Sequence, residues 1–177
     1  MYKFAAACKN ELIIFGACRP GYSQKQIRAW IEFMKSQDIQ RICCLLAEEQ
    51  LIRYPKLLDS YQEEFGSDNV CWAAIADFHI CDPATLHNQI LPFLFTSDRS
   101  QQKTVIHCSG GIGRTGHILA AWLIFGRGLS QQAAIEAVRK TGRNPYEATI
   151  FAPLRGKSPL QVLAELNYLL NASSTHS

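Results

Sequence analysis

One ten-residue segment constrains this chain more than any other: His107-Cys-Ser-Gly-Gly-Ile-Gly-Arg-Thr-Gly116. The apolar run Lys103 to His107 before it reads as a strand, and the apolar run after it, to about Phe125, reads as a buried helix. Gly110, Gly111, Gly113 and Gly116 let the connecting backbone curl tightly and turn successive N–H groups inward. A loop of this kind at a helix N-terminus binds anions, and a phosphate dianion suits it. Arg114 stands where the helix begins, and its planar fork matches two phosphate oxygens. Cys108 opens the loop, where inward amides, helix dipole and guanidinium all favour the thiolate. That thiolate is the form that attacks phosphorus to give a phosphocysteine. Thr115 is placed to hydrogen-bond the sulfur and ease its departure. His107 is expected to fix the loop rather than to transfer protons. No Gly-Lys-Ser/Thr follows the glycines, which excludes a nucleotide P-loop.

The remaining sequence supplies a scaffold. Phe4–Cys8 and Leu12–Phe15 read as an opening hairpin. A capping box of Ser23 and Gln26 starts an amphipathic helix over 23–37, with Ile27, Trp30, Ile31 and Met34 on one face. Arg41–Leu46 and Val70–Ala76 are apolar runs expected to be strands covered on both faces. Between them runs a helical stretch from about Glu48 to Phe65, interrupted or kinked at Pro55. Asp82-Pro83 caps a helix continued by Leu86, Ile90 and Leu94. Further helices are expected over 130–141 and from Ser158, the last with a Leu163, Leu166, Leu170 stripe. Strands alternating with helices predict an α/β three-layer sandwich around a mostly parallel sheet of four to five strands. Neither repeat nor linker divides the chain, so residues 1–177 read as one domain, with a core of about 2–170 and a frayed tail at 171–177.

Composition narrows the class. The net charge of +3 is too small for a nucleic-acid surface. No apolar run approaches a membrane span, and the N-terminus lacks a signal-peptide core. The seven cysteines at 8, 18, 43, 44, 71, 81 and 108 include no C-x-x-C pair, so neither a disulfide framework nor a metal site is expected. A reducing cytoplasm is the simplest compartment. No cofactor or metal is needed by the chemistry.

The segment from His107 to Gly116 resembles the signature of the protein tyrosine phosphatase superfamily, in its small dual-specificity branch. Tyr54-Pro55-Lys56-Leu57-Leu58 followed by Ile75-Ala76-Asp77 is similar to the cyclin-dependent kinase-associated phosphatase type, and the likeness spans roughly residues 40 to 170. The resemblance implies a phosphatase acting on phosphorylated proteins or peptides, with Ser109, Gly110, Gly111, Ile112, Gly113 and Arg114 cradling the phosphate. It also implies an upstream Asp as general acid. Asp77 fits at a strand exit, with Asp82 as rival, although Asp82 already reads as a helix cap. The departures are a Gly at 110 where relatives often carry Ala, no tyrosine-recognition loop, and no Lys among residues 109–113, which argues against phosphoinositides. Asn144 falls where relatives place a water-positioning amide, and Arg143 beside it reads as a solvated surface charge. Cys44 aligns with a position that pairs with the nucleophile in some relatives, or is a core thiol. A silent phosphoprotein-binding module of the same fold is the alternative function, and a sulfur- or arsenate-handling enzyme with a similar loop is a third.

Overall fold

The computed structural model describes residues 2–171. The strands are β1 (Ala5–Ala6), β2 (Ile14–Cys18), β3 (Arg41–Cys44), β4 (Val70–Trp72) and β5 (Thr104–Cys108), in the order β1-β2-β5-β3-β4. Only the β1–β2 hairpin is antiparallel. β5 runs parallel to both β2 and β3, and β4 runs parallel to β3 at the edge. The C-terminal ends of β2, β3 and β5 therefore open on one rim, where α/β sheets bind ligands.

One face of the sheet is covered by α1 (Gln24–Ser36) and α3 (Leu57–Phe65). Ser23 and Gln26 cap α1 reciprocally, and Ile27, Trp30, Ile31 and Met34 are buried as the spacing predicts. The expected interruption near Pro55 splits α2 (Glu48–Leu51) from α3. The other face is covered by a helical segment in three parts. These are α4 (Pro83–Thr85), a wide turn at Leu86–Ile90, and α5 (Leu91–Arg99). Pro92 has no N–H to donate, which favours the wide turn just before it.

At the centre lies α6 (Gly113–Phe125), buried at every position except the last. A helix apolar all round must be packed on all sides. The sheet, α5, α7 (Gln131–Lys140) and α8 (Glu147–Ile150) do this. The last helix, α9 (Pro159–Leu169), buries Val162, Leu166 and Leu169, with Leu170 just past its end and Leu163 half-buried. Leu166 and Leu170 are thus buried as predicted, while Val162 and Leu169 take the place expected of Leu163. The tail beyond Asn171 lies outside the described residues. Among the described residues, no helix is long and apolar enough to cross a membrane.

The β1–β2 hairpin is anchored by one buried carboxylate. Glu11 accepts hydrogen bonds from the Ile13 and Ile14 amides at 2.9 and 3.2 Å and from the Trp122 indole at 3.1 Å. Arg127 approaches Glu11 at 2.9 Å and Asp98 at 2.6 Å. Burial alone would raise the Glu11 pKa. The Arg127, Ile13, Trp122 and Ile14 contacts together outweigh it and hold the carboxyl below its ordinary value of 4.5. A lowered folded-state pKa contributes stability above the unfolded value, and that stability is lost as pH falls through the folded value. Glu11→Ala is thus expected to cost about 2–3 kcal/mol at pH 7. In urea titrations the gap between variant and parent should narrow below pH 4.5.

Candidate active site

β5 delivers Cys108 to the sheet rim, and the chain then curls through residues 109–112 into α6. Gly111 has φ +69, and a Cβ there would sit 2.6 Å from the Ala17 carbonyl oxygen. Glycine is required on both counts. Its amide donates to the Cys108 sulfur at 3.3 Å. Thr115 is buried, and its Oγ1 has no protein partner. His107 packs on the opposite side of β5 against Trp30 and Tyr61, hydrogen-bonded to the Tyr61 hydroxyl at 3.2 Å. Burial pushes its pKa down to about 3, so the ring is neutral and structural at physiological pH.

Arg114 is 3% exposed and turned toward the strand exits. Its Nη1 donates to Ile75 O and Gln50 Oε1 at 2.8 Å and to Leu45 O at 3.4 Å. Its Nη2 donates to Asp77 Oδ1 at 2.8 Å. Asp77 also accepts from Gln50 Nε2 at 3.3 Å, so Gln50 bridges acid and guanidinium. The segment carrying Asp77 is tightly held. Phe78 adopts φ +57, a costly conformation for an aromatic residue. It is fixed by packing on Phe151 at 4.5 Å between ring centroids, and by His79 Nδ1 donating to Asp77 O at 2.8 Å. Asp82 is elsewhere, accepting the Thr85 amide at 2.9 Å as an N-cap.

Three residues that no local pattern singled out complete the surroundings. Arg19 leaves β2 and donates to Ser109 Oγ at 3.3 Å and to the Tyr54 hydroxyl at 2.9 Å, with its guanidinium 4.0 Å from the Tyr22 ring centroid. Gln50 comes from α2. Glu147 comes from α8 and accepts the Gly113 amide. Burial, with Asp77 nearby, raises its pKa against the opposing pull of that amide, Arg114 and Lys3. Each reaches the site only through tertiary packing, so no sequence spacing could have marked it.

Two neighbouring expectations come out differently. Arg143 is not a solvated charge. It is 4% exposed, and its Nη2 donates to Gly16 O at 2.6 Å and Lys3 O at 3.0 Å. A guanidinium can enter there because residue 16 has no side chain; a Cβ would lie 2.7 Å from Arg143 Nε. Asn144 turns its Oδ1 to the Tyr146 amide at 3.2 Å, an ordinary turn contact. Cys44 pairs in register with His107 and packs with the core on the α1 and α3 face, whereas Cys108 belongs to the opposite face. Burial pushes the Cys44 thiol up to about 12. Both sulfurs are free.

A family model described as cyclin-dependent kinase inhibitor 3 (CDKN3) matches residues 5–135. The chain belongs to this family. Cyclin-dependent kinase inhibitor 3 of Homo sapiens is 30% identical over 166 residues, covering 87% of this chain and 69% of the relative. The crystal structure of Tk-PTP in its active form superposes with a TM-score of 0.66 at 26% identity, over 88% of this chain and 92% of the other. Kinase associated phosphatase (KAP), with serine in place of its catalytic-site cysteine, gives 0.64 at 28% identity, over 88% and 83%. Membership in the CDKN3 family, with these phosphatase neighbours, makes the chain a cysteine-based protein phosphatase of the dual-specificity type with a tyrosine phosphatase-like α/β fold. Nothing favours the silent binding module.

Proposed function

We propose that this chain hydrolyses phosphotyrosine in proteins, and phosphoserine or phosphothreonine where they reach the rim, through a phosphocysteine on Cys108. The observation that carries the reading is the cradle: a Gly111 amide 3.3 Å from the Cys108 sulfur at the head of α6, with Arg114 and Asp77 2.8 Å apart beside it. In the first step the Cys108 thiolate attacks phosphorus while inward amides and Arg114 hold the equatorial oxygens. Arriving phosphate takes the Nη2 edge of Arg114 and releases Asp77 to face the leaving oxygen. Asp77 protonates that oxygen, then takes a proton from the water that cleaves the phosphocysteine. The unpartnered Thr115 hydroxyl donates to the departing sulfur. Ser109, Gly110, Ile112 and Gly113 contribute backbone, and Arg19 braces Ser109 from outside.

Asn144 and Cys44 receive no catalytic role in this proposal, the first because its carbonyl is occupied and the second because it faces the opposite core. Residues 2–170 act as one catalytic domain, working in the cytoplasm, where Cys108 stays reduced. The human relative is named for cyclin-dependent kinases, so a phosphorylated kinase is the first protein substrate to try.

The test is phosphate release from matched phosphotyrosyl, phosphothreonyl and phosphoseryl peptides in the presence of a chelator. Chelator-resistant turnover, fastest on phosphotyrosine, supports the proposal. Binding of all three peptides without turnover would overturn it.

A further inference from the structure

Cys43 and Cys71 are partners across β3 and β4, residue opposite residue in a parallel register. Both lie on the face packed against α5 and α6, Cys43 fully buried and Cys71 partly open on the edge strand. Neighbouring strands are about 4.8 Å apart, and a disulfide needs Cα atoms about 4.4–6.8 Å apart. Spacing and side-chain direction therefore suit a cross-link.

A cation stands beside them. Arg41 begins β3 on the same face and is 4% exposed. Its contacts are all neutral: Phe93 O at 3.0 Å, Ser97 Oγ at 2.7 Å, Asp68 O at 3.3 Å, and the Phe93 ring at 3.8 Å. Its Nε has no partner, and no carboxylate pairs with it among the described residues. A buried guanidinium without a counter-charge is costly and attracts an anion. The anion available is a Cys71 thiolate.

We propose that Cys71 and Cys43 form a redox-active dithiol, stabilised by Arg41, that closes to a disulfide between β3 and β4 on exposure to peroxide. Cys71 is the attacking thiol. Donation from the Cys43 thiol, helped by Arg41, lowers its pKa despite burial. Cys43 is held well above its ordinary value by Cys71 and by burial, which suits a resolving thiol. The Cys71 thiolate attacks one oxygen of hydrogen peroxide, the O–O bond breaks, and hydroxide leaves with the electron pair. Cys71 is then a sulfenic acid. The Cys43 sulfur attacks Cys71, the S–O bond breaks, and the departing hydroxide takes the Cys43 proton as water. The proton first lost by Cys71 neutralises the first hydroxide, so one peroxide is reduced to two waters as two thiols become one disulfide.

Peptide mapping of the full chain without prior reduction tests this after graded hydrogen peroxide, in the wild type and in Cys108→Ser so that the nucleophile cannot compete. A Cys43–Cys71 cross-linked peptide is expected in both, lost on treatment with dithiothreitol. In Cys43→Ser, Cys71 should accumulate as a sulfenic acid captured by dimedone, while Cys71→Ser should leave Cys43 unmodified. The proposal is overturned if both thiols stay free at a dose that fully oxidises Cys108 in the wild type. It is equally overturned if Cys71 cross-links instead to Cys81, another thiol of this face.

Discussion

Cys108→Ser is expected to lower the turnover of p-nitrophenyl phosphate by about 10⁵-fold or more, because the attacking atom itself is removed. A serine hydroxyl ionises far less readily than a thiol, and the same cradle cannot make up the difference. The anion site should survive the change. The Gly111 amide, the head of α6 and Arg114 are all independent of the sulfur's identity. The variant should therefore still bind a phosphotyrosyl peptide, within a few-fold of the parent, in a fluorescence polarisation assay. Turnover within tenfold of the wild type would remove Cys108 from the chemistry.

Asp77→Asn is the second large effect. The amide keeps the size of the carboxylate and can still bond Gln50, so the fold should be undisturbed. It cannot deliver a proton to the leaving oxygen, a service worth about 10²–10⁴-fold. The loss should be smallest on p-nitrophenyl phosphate, whose leaving group needs little help, and largest on phosphoserine. Asp82→Ala provides the contrast. It removes the cap on the Thr85 amide and should cost about 1 kcal/mol of stability, with turnover retained. If Asp77→Asn behaves as wild type while Asp82→Ala is slow, the acid has been misassigned.

The parts of the site that were legible in the sequence are those built from consecutive residues. A strand leads into Cys108, and four glycines, an Arg and a Thr follow it within eight residues, so backbone geometry does the rest. Asp77 was reachable because a chain leaving one parallel strand emerges on the rim where its neighbours end. Gln50, Arg19 and Glu147 were not, since each depends on how a separate element packs. Arg143 looked like a turn charge between Gly142 and Pro145, and only the missing side chain at Gly16 gives its guanidinium a buried place.

Apolar runs also overstate strand length, for a physical reason. Leu45 and Leu46 remain buried after the β3 ladder ends at Cys44. After Trp72 the chain leaves regular pairing but still donates Ala73 N to Cys44 O at 3.0 Å and Ile75 N to Leu45 O at 3.3 Å. Burial continues where the ladder does not. This is the stretch that carries the backbone over the rim to Asp77.

The most direct measurement is rapid-quench trapping of the enzyme during turnover of a ³²P-labelled phosphotyrosyl peptide, followed by mapping of the labelled site. The account predicts a covalent phosphorus–sulfur bond on Cys108, absent from Cys108→Ser. Turnover that proceeds with label on another residue, or with no covalent label at any quench time, would contradict it.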